Sequence, residues 1–321
     1  MKRTVIYLMI LFITSTITFA GSASKPIRLV IYPSKMTEAD KQYRLLPKAE
    51  ELTDEDAVQL YQKAIQSLPK NLDSNQIRQW LDAPLSELPV QKVQSTLESL
   101  QQTIKVIDQA SKCKQCNWPE VDPEAASIDL SMYRSLIYIM SLKIRLEIKQ
   151  GQYEQALDTI QAGLVMGRNL CKSPMLIQGL VGISVTAYTL RQVEELIQVE
   201  DGPNLYWALA ALPQPLIDLT EQTALESPET RGRVTSQTNR LSRHLAALQT
   251  IEAIRLHAGK NNGEFPEKLS DITEVPVPDD PIAKKPFTYT RTGSKAVLEG
   301  EASKGSEGRD EVKYELDLKE N

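Results

Sequence analysis

Apolar residues recur at steps of three and four through most of residues 53–225, and this spacing limits the fold more than any other feature of the chain. Such a stripe lies along one face of an α-helix, which is stabilised when that face packs against a neighbouring element. The pattern therefore predicts a mainly α protein. The longest stripe predicts one amphipathic helix between Pro89 and Cys113. Its members are Val90, Val93, Leu97, Leu100, Ile104 and Ile107.

Capping residues, glycines and prolines indicate where the other helices begin and end. Thr53-Asp54-Glu55-Asp56 favours a helix start at Thr53, because acidic groups stabilise the positive end of the helix dipole. Gly179 and Gly182 lie inside an apolar helix, where they indicate close approach of a neighbouring helix. Further helices are expected to begin near Ser131, Tyr153, Pro174, Asn204 and Leu216.

The first 20 residues have the three parts of a secretory signal peptide. Lys2 and Arg3 form a positive start, Val5 to Ile17 is mostly apolar, and small residues offer cleavage after Ala20 or Ala23. The alternative is a retained anchor helix, but the apolar run is shorter than the roughly 20 residues that a membrane span needs. We therefore expect an exported protein, periplasmic or extracellular, with no membrane span after cleavage.

The charge balance argues against a nucleic-acid partner. The chain has 37 Lys and Arg against 42 Asp and Glu, a formal net charge of −5. Loss of Lys2 and Arg3 with the signal, which contains no acidic residue, changes the net charge to −7. Binding to phosphate normally requires a basic field. The mature protein is expected to be mildly acidic.

The three cysteines, Cys113, Cys116 and Cys171, are the candidate disulfide residues. An oxidising compartment favours a disulfide over a zinc or thioredoxin site, and the sequence leaves open which two of the three pair. A zinc site needs four ligands, and the remaining soft ligands, His244 and His257, are remote from the cysteines along the chain. No βαβ pattern surrounds the Cys-x-x-Cys pair, so a thioredoxin-like site is not expected.

Changes in periodicity divide the chain into four parts. Residues 1–20 are the signal, and residues 21–52 have no regular period, which predicts an extended lead-in. Residues 53–230 form the helical domain. Residues 227–238 lack periodicity and are the expected boundary to a module at 231–321.

The segment from Met132 to Pro174 resembles one tetratricopeptide-type helical hairpin. Gly151 forms the turn between the helices, Tyr153 packs into it, and Ala156 lets the helices touch. Asp56 to Ile65 is a weaker copy, and the copies lack a constant period, so we expect an irregular array. The resemblance implies a scaffold that binds other proteins; a helical domain with a well-packed turn and no scaffold role is the alternative.

Residues 240–318 resemble the globular half of the type II secretion major pseudopilins. A long helix ends at Asn261-Asn262-Gly263, and Val277 to Tyr289 follows as a proline-rich connection. The resemblance implies a small α+β module, with the long helix packed on an antiparallel sheet of about three strands. The alternating residues of Val312 to Leu318 predict the strand that faces that helix.

Two departures from the pseudopilin pattern limit what the resemblance implies. An ordinary signal and more than 200 residues of helical pattern replace the hydrophobic assembly helix. The loop that binds calcium in those proteins corresponds to Ser303 to Asp310, where Lys304 and Arg309 intrude. Calcium prefers several oxygen ligands, so we expect no metal there.

No catalytic constellation is apparent in the sequence. His244 and His257 are thirteen positions apart on one expected helix and face different sides of it. Tyr206 and Trp207 are candidate partner contacts, although a core position is the commoner role for such aromatics. We expect an exported, non-enzymatic protein that binds other proteins of the cell envelope without a cofactor. The alternatives are an accessory component of a type II secretion or pilus-like assembly, and a hydrolase or thiol-redox enzyme.

Overall fold

A computed structural model describes residues 25–120 and 130–319 of the chain. The signal peptide and both of its cleavage positions lie outside these residues. The helices are α1 Ala57–Gln66, α2 Ser74–Asp82, α3 Val90–Ser99, α4 Gln101–Ser111, α5 Ser131–Lys149, α6 Tyr153–Cys171, α7 Leu176–Ile197, α8 Tyr206–Ala210, α9 Thr220–Thr223 and α10 Pro228–Lys260. The strands are β1 Ile27–Ile31, β2 Thr53–Asp56, β3 Cys113–Gln115, β4 Thr288–Thr292, β5 Lys295–Gly300 and β6 Val312–Leu318. The protein is mainly α, with a small mixed sheet.

The first helix begins four residues later than the sequence indicates. Thr53–Asp56 is a short strand, because its backbone pairs in parallel with β3 and the Thr53 N–H donates to the Lys112 carbonyl at 2.7 Å. Asp56 is the residue that caps α1, and its side chain accepts from the Val58 N–H at 3.0 Å. The expectation of a helix start at Thr53 is therefore wrong.

The long helix expected after Pro89 is broken into α3 and α4. The break lies at Leu100, whose φ of −105° and ψ of 7° leave the α-helical region, while its side chain stays buried. The bend allows α3 to pack on α5 while α4 packs on α1 and α6. In a single straight helix, the continuous apolar stripe would contact only one set of neighbouring helices.

Glycines allow α6 and α7 to pack at short range, as the sequence indicates. A Cβ at Gly182 would lie 2.5 Å from Cys171 Sγ and 2.6 Å from the Gly167 carbonyl oxygen. A Cβ at Gly167 would overlap Thr186 Oγ1. The prediction that a neighbouring helix closely approaches is confirmed for Gly182, whereas the close neighbour of Gly179 is the Leu219 side chain, which lies outside the helices.

Helix α10 runs unbroken through residues 228–238, where the sequence predicts the domain boundary. Ser227 caps it by accepting from the Thr230 N–H at 3.2 Å, and Pro228 occupies the first turn, where its missing N–H is no loss. Most residues of 228–233 are exposed, so this part of the helix has no apolar stripe to detect. The boundary expected at 227–238 therefore falls on a continuous helix.

The sheet contains one strand more than the sequence indicates. Its order is β1-β6-β5-β4, and β4, β5 and β6 pair antiparallel as expected. The additional strand, β1, comes from the expected lead-in and pairs in parallel with β6, placing Leu29 beside Leu316 and Ile31 beside Leu318. Helix α10 packs on β5 and β6. The amino-terminal strand is therefore part of the carboxy-terminal sheet.

Two hydrophobic cores hold the described residues together. One lies among α1 to α7. The other joins residues of α5, α6 and α7 to β1, α8, α10 and the sheet, so it crosses residue 230. The expected division at that position does not coincide with a break in the packing. Within the described residues, no helix combines the length and apolar character that crossing a membrane requires.

Candidate functional site

A cleft of about 730 Å³ lies within the described residues. One wall is the segment that follows β1, from Pro33 to Tyr43, and the other is the turn Glu200 to Pro203 after α7. The floor is the carboxy-terminal end of α10 and the turn after it, from Ala258 to Gly263, and Tyr153 contributes from the start of α6. Segments from four distant parts of the chain thus form one surface.

Buried hydrogen bonds hold the two walls in place. Asp40 accepts from the Thr37 N–H at 2.7 Å within one wall and from the Asn204 N–H at 3.2 Å behind the other. Asn204 in turn donates to the Glu252 carboxylate on α10 at 2.6 Å. Because both Asp40 oxygens bind backbone amides, this carboxylate is occupied in supporting the cleft.

A fully buried ion pair lies beneath the cleft. Glu252 Oε2 is 2.9 Å from Arg255 Nη1, and both side chains are inaccessible to solvent. Burial raises the pKa of Glu252, while the Arg255 charge and the Leu205 N–H oppose that shift. The Arg255 guanidinium also donates to the Tyr32 carbonyl at 3.1 Å, which ties the floor helix to the wall after β1. These contacts make the base of the cleft rigid.

The floor depends on backbone contact between α10 and the wall after β1. The Ser34 N–H donates to the Arg255 carbonyl at 2.9 Å, and a Cβ at Gly259 would collide with the Ser34 backbone. Gly263 ends the helix with a φ of 79° and donates to the Ala258 carbonyl at 2.9 Å. The glycine stop that the sequence indicates at this position is confirmed.

Several polar groups of the cleft have no hydrogen-bond or ion-pair partner within the described residues. They are the Lys35 ammonium, the Glu200 and Asp201 carboxylates and the phenol groups of Tyr43 and Tyr153. Burial and nearby carboxylates raise the pKa of both phenols: Glu154 and Asp40 act on Tyr43, and Asp201 acts on Tyr153. The phenols therefore remain neutral donors at physiological pH. These groups are free to bind a ligand.

The three cysteines are free thiols in this structure, each donating to a backbone carbonyl. Cys113 begins the extended strand β3, so its Cα is roughly 10 Å from that of Cys116 at the strand rise per residue. A disulfide requires less than about 7 Å. A bridge between Cys113 and Cys116 would therefore require β3 to leave its pairing with β2.

The thiol surroundings also oppose redox catalysis. Burial raises the pKa of Cys116 and of Cys171 to about 12 each, and it raises the pKa of Cys113 as well. A reactive thiol needs a lowered pKa, since the thiolate is the nucleophile. Cys116 and the Trp118 indole N–H instead both donate to the Asn169 carbonyl, which fixes the Cys loop to α6.

The candidate partner contacts Tyr206 and Trp207 lie in different surroundings. Tyr206 is 2% exposed and belongs to the core, where its hydroxyl donates to the Pro276 carbonyl. Trp207 is 40% exposed, and its ring packs edge-on against Tyr206 at 5.1 Å between centroids. Neither residue lines the cleft. Trp207 is thus the accessible member of the pair.

The two histidines lie apart and each contacts a different glutamate. His244 Nε2 is 2.8 Å from Glu194 Oε1, which also accepts from the buried Tyr314 hydroxyl at 2.7 Å. His257 Nδ1 lies 3.4 Å from Glu274 Oε2. The expectation that they form no common site is confirmed. Within the described residues no cluster of His, Cys, Asp and Glu could hold a metal ion.

The loop Ser303 to Asp310 takes part in a buried ion pair. Arg243 lies between Asp280 Oδ2 at 2.9 Å and Asp310 Oδ2 at 3.0 Å, and the three side chains are nearly inaccessible. The Ser303 N–H donates to Asp310 at 3.0 Å. A guanidinium therefore supplies the positive charge that balances these carboxylates.

The cleft is not predictable from the sequence, because its lining comes from segments that no local pattern links. The local signal is Glu200-Asp201-Gly202-Pro203, a turn sequence with two adjacent carboxylates and no basic neighbour. Comparisons with protein-family models, with curated proteins and with solved structures gave no match. The site must therefore be interpreted from its own geometry.

Proposed function

We propose that this chain is an exported, non-enzymatic protein of the cell envelope that binds another protein in the cleft between residues 33–43 and 200–203. The observation that carries the proposal is a cleft in which five polar side-chain groups have no hydrogen-bond or ion-pair partner within the described residues. Open sites of this size are where ligands are generally bound. The secretory-type amino terminus supports the location.

The arrangement of titratable groups favours binding over catalysis. The described histidine–glutamate contacts lie outside the cleft, and the Asp40 carboxylate beside Thr37 is held by two backbone amides. Cys113 and Cys171 are buried and Cys116 is half-buried, and burial raises the pKa of all three thiols, which disfavours a thiol-redox enzyme. A role that needs only shape and charge fits these observations.

Site-specific photo-crosslinking tests the proposal. A benzophenone amino acid replaces Tyr153 in the cleft, Trp207 outside it, or the exposed Glu98 on α3 as a control. We expect the Tyr153 variant to crosslink one reproducible envelope protein, which then binds the purified chain. Equal crosslinking from Glu98 would contradict the assignment of the cleft, and crosslinking from Trp207 alone would move the site to α8.

An accessory role in a type II secretion or pilus-like assembly is the second proposal. The packing of α10 on β5 and β6 supports it, since the pseudopilin-like prediction requires a long helix on a small sheet. Recovery of a secretion component as the Tyr153 or Trp207 adduct is the expected result. Adducts that contain no such component would contradict it.

A further inference from the structure

The charges around the cleft favour a positively charged ligand. Of its charged lining residues, Asp40, Glu200 and Asp201 are acidic and Lys35 is basic. Glu200 and Asp201 are exposed and have no ion-pair partner within the described residues. Two adjacent carboxylates on one lip therefore produce a negative field that no ion pair within the described residues neutralises.

Helix ends add a second, independent source of negative potential. The cleft lies at the carboxy-terminal ends of α7 and α10, where each helix dipole is negative. The carbonyl oxygens of Gly259 and Lys260 accept no hydrogen bond from the described residues, and Gly259 lines the floor. Free carbonyl groups at a helix terminus stabilise cations near it.

The two tyrosines complete a site of this kind. Tyr43 and Tyr153 both line the cleft, and their hydroxyl groups have no partner within the described residues. Aromatic faces attract ammonium and guanidinium groups, and phenol hydroxyls hydrogen-bond to peptide groups. Carboxylates, free carbonyls and tyrosines together match the side chain of a lysine or arginine within an extended peptide.

We infer that the cleft binds an extended segment of another protein through a lysine or arginine side chain held at Glu200 and Asp201. This inference rests on the proposed function and names the chemistry of the partner. Lys35 is the basic residue of the lining and opposes the ligand charge. The Lys35 charge lowers the affinity of the cleft for weakly basic peptide segments and so contributes to selectivity among partners.

The test measures binding of a fluorescent Gly/Ser peptide that carries two lysines to the full mature chain. Glu200→Gln combined with Asp201→Asn should weaken binding about tenfold, which is about 1.4 kcal/mol. Asp54→Asn combined with Glu55→Gln is the matched control, because it removes the same charge from an exposed pair on β2. Lys35→Gln should strengthen binding about twofold, in line with removal of one exposed like charge.

The same peptide with both lysines acetylated separates charge from shape. We expect it to bind at least about tenfold more weakly than the lysine peptide. Equal affinity for the two peptides, or equal loss in the control variant, would overturn the inference. A free diamine that competes as well as the peptide would also overturn it, since the ligand would then be a small amine.

The inference and the proposed function can fail separately. If Tyr153 crosslinks a protein partner whose binding does not change with Glu200→Gln and Asp201→Asn, the lysine assignment is wrong and the cleft remains the binding site. If the lysine peptide binds as expected but no protein crosslinks at Tyr153, the protein-binding role in the envelope is wrong.

Discussion

At the scale of residues, buried charges determine how the helices are held. Arg145 on α5 is 1% exposed and donates to the carbonyls of Trp80, Leu81 and Ala83, each at 2.6 Å, and so caps the end of α2. Its Nε also lies 3.0 Å from Glu195 on α7. One side chain therefore joins three helices.

Removal of the Arg145 charge should be strongly destabilising. Arg145→Met leaves three carbonyls and the Glu195 carboxylate without their partner, which should lower the free energy of unfolding by about 3–5 kcal/mol. Lys105→Met is the control, because it removes the same charge from an exposed position on α4. Urea titration measures both variants. A decrease of less than about 1 kcal/mol in the free energy of unfolding of Arg145→Met would show that the Arg145 cap contributes little to stability.

The buried Glu252 should make stability depend on pH. Burial raises its folded-state pKa above the ordinary 4.5, so the folded chain holds a proton that the unfolded chain releases. Stability from this group is present below pH 4.5 and is lost as pH rises from 4.5 through the folded pKa. Urea titrations across that range should show a smaller slope with pH for Glu252→Gln than for wild type. An unchanged slope would contradict the assignment.

Asp310 makes stability depend on pH in the opposite direction and in a different pH range. Burial raises the pKa of Asp310, but hydrogen bonds from Ser303 and the charge of Arg243 outweigh this effect and lower the pKa below 3.8. Stability from this group is present above pH 3.8 and is lost as pH falls through the folded pKa. The Asp310 contribution to stability changes below pH 3.8, whereas the Glu252 contribution changes above pH 4.5. The two contributions are therefore separate when Glu252→Gln is compared with wild type across pH.

At the scale of elements, glycines set the distance between α6 and α7. Gly167→Ala places a methyl group against Thr186 and should lower the free energy of unfolding by about 1–3 kcal/mol. Gly232→Ala is the matched control within α10, where nothing lies within 4 Å of the added methyl. The control should raise stability by about 0.4–1 kcal/mol, because alanine favours a helix. Equal effects of the two changes in thermal unfolding would contradict the close packing.

The helices with continuous apolar stripes could be predicted, because a stripe is a local pattern. The break at Leu100 could not, since Leu100 keeps its place in the stripe while its backbone leaves the helix. Strand β1 was missed because its parallel partner lies near the other end of the chain. The start of α10 was missed because its first turns face solvent on most sides.

At the scale of the whole molecule, the carboxy-terminal module shares its core with the rest of the chain. The sheet includes β1 from residues 27–31, and the core joins α7 and α8 to α10. The cleft also needs walls from both sides of residue 230. Site and fold therefore depend on the same long-range contacts.

An isolated fragment of residues 231–321 should not fold. It starts inside α10, lacks β1, and exposes apolar residues of α10 that pack on other segments. Circular dichroism and backbone NMR of the fragment should show little fixed tertiary structure, whereas the chain from residue 25 should unfold cooperatively. A well-dispersed NMR spectrum of the fragment would show that the expected boundary near 230 separates independent domains.

Amide hydrogen exchange, with and without a bound partner or the lysine peptide, tests the central claim most directly. Binding in the cleft should slow exchange in residues 33–43, 200–203 and 258–263 together, because these segments form its walls and floor. Residues 205–211 around Trp207 should exchange at unchanged rates. Protection around Trp207 without protection of the cleft segments would contradict the account.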